Sequence, residues 1–368
     1  MTLRLATIVG ARPQFVKAAV VSRALRRRGG LDEQIIHTGQ HYDAMMSDIF
    51  FDELEIASPA VHLAIGSGSH GRQTGRMLEQ LEAVLVESRP DAVLVYGDTN
   101  STLAGGLAAA KLHIPTAHVE AGLRSFNREM PEEINRVLVD HLSSLLFAPT
   151  PVAVENLRQE GIATERIREV GDVMYDAAMI LAERAERHSE VLSRNSLQPK
   201  HFILATIHRA ENTDDPERLA AVFEGFVRIA GELPVVIPLH PRTRAALQRE
   251  GRLEAIEQRL TVIEPVGYLD MVNLEMNSRI VITDSGGVQK EAFFFRVPCL
   301  TVRDETEWTE TIEAGANRLI EADAAAMVLA VQETLGGETN LPDPGPLFGN
   351  GVAADRIAEA LANESLRL

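Results

Sequence analysis

Residues 92–144 read AVLVYGDTNSTLAGGLAAAKLHIPTAHVEAGLRSFNREMPEEINRVLVDHLSS, and this stretch decides the fold. Ala92 to Tyr96 is a short apolar, β-branched run, the pattern of a strand buried on both faces. It ends in Gly97-Asp98-Thr99-Asn100, and a helix of small residues is expected from Thr102 to Leu112. A second apolar run, Thr116 to Val119, delivers Glu120 at its tip. Pro131 then opens a helix with Glu132 and Glu133 in its first turn. Carboxylates thus leave three strand ends or helix starts at the edge where open α/β sheets bind ligands. That edge reads as an active site.

Strand and helix patterns alternate on both sides of this stretch. Upstream, Leu3 to Val9 is a strand, Gly10-Ala11-Arg12-Pro13-Gln14 a turn, and Phe15 to about Arg28 a helix. A turn straight into a helix start can hold phosphate on its backbone N–H groups, and Arg12 and Lys17 flank it. Arg26, Arg27 and Arg28 before Gly29 need only be cations at a helix end. Gln34 to Thr38 is a strand, Met45 to Leu54 and Ser69 to Arg89 are helices, and His37 and His41 read as loop or core histidines. Downstream come strand Leu145 to Ala148, helix Val152 to Glu160 and strand Ile167 to Val170. Glu183 to Lys200 is a polar, charged connector, and at His201 the alternation restarts and runs to strand Cys299 to Val302. A Pro/Gly connector, Thr339 to Gly351, precedes a closing helix. The fold class is α/β, with two Rossmann-like doubly wound parallel-sheet domains, 1–171 and 172–351. Two such domains in tandem would form an interdomain cleft suited to a ligand with two distinct ends, such as a nucleotide joined to a sugar.

Length and composition agree with two ordinary globular domains: 368 residues, 45% apolar and 24% charged. A net charge of −17 argues against nucleic acid or an anionic membrane as partner. An anionic ligand would therefore need basic residues gathered locally. The single cysteine, Cys299, excludes an intrachain disulfide and a cysteine-based zinc site, and reads as a small buried hydrophobe. The opening MTLRLATIVG reads as a strand, not a signal peptide, and no stretch approaches a membrane span, so a cytoplasmic location is expected.

In the second domain, Asp284-Ser285-Gly286-Gly287 follows a strand and opens a helix. Ser285 can cap that helix, and the glycines let a pyrophosphate approach its N-terminus. Glu291, about one turn in, could accept bonds from a ribose diol. His208-Arg209 and His240-Pro241-Arg242 follow two further strands, and the repetition at equivalent positions points to an anion site. Each carboxylate of the first domain has a structural alternative. Asp98 can cap the following helix, Glu120 can pair with Arg124, and Glu132 and Glu133 suit a helix start in any protein.

GARPQFVKA, GDTNST, HVEAGLRS, MPEEINR, HRAEN and TDSGGVQKEA carry a resemblance to the non-hydrolysing UDP-N-acetylglucosamine 2-epimerases. The likeness runs to EAGANRL, which ends at Leu319. It implies GT-B architecture, with the C-terminal helix, 352–368, packed back on the first domain. The implied reaction inverts C2 of a UDP-2-acetamido sugar, for bacterial surface polysaccharide precursors. UDP is eliminated to a 2-acetamidoglucal and then added back. The resemblance makes Asp98, Glu120, Glu132 and His208 the catalytic set, with Glu132 and Asp98 exchanging the C2 proton. Arg12, Lys17, Arg136, Arg209, His240, Ser285, Gly286, Gly287 and Glu291 would bind substrate and UDP. It implies no metal or redox cofactor, and a homodimer.

There are departures from the family pattern. Met271 stands where many members have Phe near the uracil, and Thr306-Glu307-Trp308-Thr309-Glu310 replaces a TERPE run. Some bacterial members bind a second UDP-GlcNAc as activator; Gln40, Arg72 and Gln73 match parts of that site and Asp43 does not. GARPQF, QKEAFFF and Thr306 to Trp308 are most similar to a branch acting on UDP-2,3-diacetamido-2,3-dideoxyglucuronic acid. Arg128 and Arg303 lie in loops suited to a C6 carboxylate. A GT-B glycosyltransferase, a hydrolysing 2-epimerase and a non-catalytic nucleotide-sugar sensor are the competing readings.

Overall fold

A computed structural model describes residues 2–40, 58–337 and 340–363, with the Arg12 side chain outside the description. His41, Asp43 and the helix expected over Met45 to Leu54 lie outside the described residues. The chain divides into two compact units, Met1–Ala177 with Gly345–Leu368, and Ala178–Pro344.

The first unit holds a parallel sheet of β1 (Leu3–Val9), β2 (Leu31–His37), β3 (Val61–His62), β4 (Ala92–Tyr96), β5 (Thr116–Val119), β6 (Leu145–Ala148) and β7 (Ile167–Glu169). Their order is β3-β2-β1-β4-β5-β6-β7. All of β4 is buried, as expected for a strand with helices over both faces. The helix Asn100–Lys111 lies close to the sheet because its face is nearly bare of side chains. A Cβ on Gly105 would come within 2.8 Å of Ile8 Cδ1, so a larger residue there would push that side chain aside. Thr99 and Thr102 cap this helix reciprocally, at 3.3 and 3.2 Å. The helix Ala353–Asn363 returns to the first helix, Arg12–Arg28, where Arg27 Nη2 lies 2.6 Å from Asp355 and Arg28 Nη2 donates to Asn363 at 2.9 Å.

The second unit repeats the plan with β8 (Ile203–Thr206), β9 (Val235–Pro238), β10 (Thr261–Ile263), β11 (Ile280–Thr283), β12 (Cys299–Thr301) and β13 (Asn317–Leu319). Their order is β10-β9-β8-β11-β12-β13, again parallel. Phe223 and Phe226, on the helix Pro216–Ile229, meet edge to face at 5.6 Å in its core. Burying each such ring contributes roughly 1.5–3 kcal/mol. In both sheets the order in which successive strands are laid down reverses once, between β1 and β4 and between β8 and β11. These switch points are where open α/β sheets leave a crevice for ligands.

The connector read over Glu183 to Lys200 is not simply irregular. The helix Val173–His188 runs through most of its first part, and a short helix, Val191–Arg194, follows. Its charges line solvent-facing positions, while Val191 is fully buried, so a sparse apolar anchor was masked by surface charge. Cys299 is buried, and burial pushes its thiol up to about 12, in keeping with an inert core residue. His37 is also a core residue, stacked between Phe15 at 4.9 Å and His62 at 4.3 Å, and burial brings its ring down to about 4. Among the described residues no helix is long and apolar enough to cross a membrane.

Candidate active site

In the first unit the switch point is bridged by one buried side chain. Gln14 accepts from the Gly10 and Ala11 amides at 2.7 and 3.1 Å and donates to the Tyr96 carbonyl at 2.7 Å. This locks the turn after β1 to the turn after β4, which carries Asp98. Gly97 there has φ +63, the left-handed region glycine enters freely, and its missing side chain leaves room for Glu120. Asp98 does not cap the helix that follows; Thr99 does. Its carboxylate instead meets Arg136 at 2.5 Å.

Glu120 leaves β5 with φ +73, a strained conformation for a residue with a side chain. The ion pair with Arg124 anticipated as an alternative is absent, because Arg124 is engaged with Asp140 and Glu160. Glu120 pairs with Lys17, both side chains being only 10% exposed. Those two residues also line a small recess with Val119, Pro149, Gly171 and Asp172. A larger recess, about 370 Å³, opens at the opposite edge of the sheet beside Arg4, Asp32 and Gln34, and contains none of the candidate residues.

The neighbouring acids of the helix Pro131–Leu142 divide in role. Glu133 is buried and pins a loop, accepting from the Ser125 and Phe126 amides at 2.9 and 3.0 Å. Glu132 is exposed in the first turn, and its charge acts on Asp98. Desolvation raises the Asp98 carboxyl above its usual value although 32% of its side chain stays accessible, and Arg136 opposes the shift. Glu120 and Glu132 raise it further, while Lys17 opposes them. A carboxylate crowded by two others and faced by two cations is suited to holding or giving up a proton.

In the second unit Asp284, which sequence reasoning passed over, bridges the switch point. Fully buried after β11, it accepts from the His208 amide at 3.0 Å, the Arg209 amide at 2.9 Å and Asn212 Nδ2 at 3.0 Å. Its other oxygen lies 3.2 Å from His208 Nδ1. Burial lowers the His208 ring below its usual value, Asp284 opposing and Arg209 and Arg242 assisting. His208 and His240 lie ring to ring at 5.5 Å, and His240 Nδ1 accepts from the Arg242 amide at 3.1 Å. The signal for Asp284 was present: an acid at a buried strand end must find donors.

Ser285 occupies the N-cap of the helix Gly286–Phe294 but makes no capping bond with its side chain. The space that a Cβ on Gly286 would fill holds the Glu307 carboxylate, which would lie 2.3 Å from it. Arg303 Nη1 reaches Glu307 at 2.9 Å and Arg209 Nη2 at 3.9 Å, and burial notwithstanding, these guanidiniums hold Glu307 below the usual carboxylate range. Glu291 accepts from the buried Tyr268 hydroxyl. Arg303 is buried in its pair with Glu307, whereas Arg128 is exposed. Gln40 and Gln73 belong to an internal network: Gln40 accepts from the Ser101 amide at 2.9 Å, and Gln73 donates to the Gln40 carbonyl at 3.1 Å. Arg12 begins its helix, its side chain outside the description. Among the described residues no group of three or more His, Cys, Asp and Glu is placed to hold a metal ion.

The site residues therefore fall into an acid-rich set in one unit and a cation-rich set around a glycine helix start in the other. The family described as UDP-N-acetylglucosamine 2-epimerase matches residues 23–362. A Pseudomonas aeruginosa protein named UDP-2,3-diacetamido-2,3-dideoxy-D-glucuronate 2-epimerase is 52% identical over 363 residues, 98% of this chain and 99% of that one. The solved UDP-GlcNAc 2-epimerase of Methanocaldococcus jannaschii, in complex with UDP-GlcNAc and UDP, superposes with TM-score 0.90 at 45% identity, covering 98% of this chain and 100% of that one. That of Neisseria meningitidis, bound to UDP-GlcNAc, gives 0.89 at 31% identity, covering 98% and 100%. The two Rossmann-like units are those of the GT-B class, and the chain belongs to the UDP-N-acetylglucosamine 2-epimerase family of isomerases.

Proposed function

We propose that the protein interconverts the C2 epimers of a UDP-2-acetamido sugar without hydrolysing it. The C2 hydrogen is barely acidic, so simple deprotonation is a poor route. In an elimination, the C2 proton passes to a carboxylate while the C1–O electron pair leaves with UDP, giving a 2-acetamidoglucal. The reverse addition protonates C2 on the other face, so atoms and charge balance over the cycle. Such a route needs two proton-exchanging groups and a firm hold on UDP.

The observation that carries the reading is the grouping of Asp98, Glu120 and Glu132 with Lys17 and Arg136. Glu132 and Asp98 exchange the C2 proton in this reading, and Glu120 and His208 steady the glucal or the leaving phosphate. Arg12, Lys17, Arg209, His240 and the Ser285-Gly286-Gly287 helix start hold UDP, with Glu291 on the ribose. Incubation with UDP-GlcNAc in deuterated water should wash deuterium into C2 of recovered sugar, visible by proton NMR. Unlabelled C2 with transfer to an acceptor would indicate a glycosyltransferase instead. Release of UDP, read by phosphorus NMR, would indicate hydrolysis.

The 52% identical relative favours a second substrate, UDP-2,3-diacetamido-2,3-dideoxyglucuronic acid. Its C6 carboxylate requires a cation, because burying it unpaired is costly. Arg128 is exposed and open to that role, whereas Arg303 would have to leave Glu307. A kcat/KM for UDP-GlcNAc tenfold or more above that for the acid, about 1.4 kcal/mol in transition-state binding, would exclude the second substrate.

A further inference from the structure

Beneath the acid-rich set lies a largely buried charged network. His118 sits in the middle of β5 with no exposed surface. Its Nδ1 donates to Asp140 Oδ1 at 2.7 Å and its Nε2 to the Gly97 carbonyl at 2.7 Å. Each ring nitrogen faces an oxygen, Asp140 on one side and the Gly97 carbonyl on the other. The second Asp140 oxygen accepts from the Gly122 amide at 3.1 Å and lies 2.8 Å from Arg124 Nη1. Arg124 in turn forks onto Glu160 with two 2.7 Å bonds.

This one pair touches three elements. Through the Gly97 carbonyl it holds the turn that carries Asp98. Through the Gly122 amide it holds the turn that carries Glu120. Asp140 itself belongs to the helix Pro131–Leu142, which bears Glu132 at its start and Arg136, the partner of Asp98, one turn before Asp140. A buried ion pair contributes little net stability over well-packed apolar side chains. What it adds here is direction: one bond orients the Gly97–Asp98 peptide and another the Ala121–Gly122 peptide, one residue beyond Glu120.

We infer that His118 and Asp140 are positioning residues that set the spacing of Asp98 against Glu120 and Glu132. The inference rests on the reading of those carboxylates as the groups acting at C2. It is tested with three variants, His118→Gln, His118→Asn and His118→Leu, by C2 deuterium exchange and by UDP calorimetry. Gln is chosen to place its amide nitrogen where Nε2 faces the Gly97 carbonyl, and Asn to place its amide nitrogen where Nδ1 faces Asp140. His118→Asn and His118→Leu should lose roughly 30–100-fold in kcat, the scale of a misplacement near 1 Å, with KM changed less than about threefold. UDP affinity should be unchanged. His118→Gln, which keeps the bond to the turn carrying Asp98 while Asp140 still holds the Gly122 amide, should recover to within about fivefold of the wild-type kcat. Equal losses in Gln and Asn, a normal kcat in Asn, or a parallel loss of UDP affinity would each overturn the inference. Should the Leu variant not fold, the Gln–Asn comparison decides. Absence of C2 exchange in the wild-type protein would overturn the epimerase reading and the positioning role with it.

Discussion

Lys17→Met tests whether the acid-rich set is held together by charge. The Met side chain keeps nearly the length and volume of Lys and deletes only the ammonium. Glu120, its partner, is 10% exposed. Its backbone is held at φ +73, and the Glu120 and Ala121 amides both donate to the Phe147 carbonyl at 3.1 Å. Removing one member of so enclosed a pair should cost about 3 kcal/mol, the low end for breaking a buried ion pair. In Lys17→Met/Glu120→Gln both charges of the pair are removed together, so the double variant should lose less than the sum of the singles by about 1–3 kcal/mol. Native-state hydrogen exchange at the β4 and β5 amides reads the stability of this unit directly. Turnover separates the two effects: the double variant should recover stability and remain as inactive as either single. Singles that add to within about 0.5 kcal/mol would refute coupling between the two groups. Recovery of turnover in the double variant would refute their part in the chemistry.

Three further outcomes follow from the geometry. Glu132→Gln should lower turnover by roughly 10²-fold or more while Tm barely moves, since an exposed acid in a first helical turn contributes only about 0.3–1 kcal/mol; near-normal turnover would remove Glu132 from proton exchange. Gly286→Val would force Glu307 away from the helix start, 2.3 Å from the new Cβ, and should weaken UDP binding at least about tenfold, or 1.4 kcal/mol; unchanged calorimetric affinity in a folded variant would put the nucleotide elsewhere. Asp176 accepts from the Ala354 amide at 2.8 Å through Oδ2, and burial raises its carboxyl from 3.8 to about 6. The fold therefore favours the neutral acid, whose contribution is whole below pH 4 and is lost as pH rises through about 6. Asp176→Asn cannot ionise, so its stability relative to wild type should improve between pH 4 and pH 8 by on the order of 1–3 kcal/mol. A Tm difference that stays flat across that range would show that Asp176 does not titrate there.

Local pattern was enough to read most of the fold. The apolar runs of β4, β5 and β6 are each bounded by turn residues, and their ranges in the structure coincide with those read from sequence, because a strand buried on both faces admits little else. The strand-end acids and the Ser285 helix start were legible for the same reason: chemistry in α/β folds gathers where strands stop. The short strands β3 and β13 were missed, since two or three residues carry no period. The long helix through Glu183 was obscured by surface charge. What the sequence could not decide was pairing. Nothing local says that Lys17, not Arg124, meets Glu120, or that Asp140 and His118 join three elements, because these partners lie far apart in the chain. Which cation faces which carboxylate depends on strand order and on the left-handed turns at Gly97 and Glu120, so it exists only once the sheet has closed.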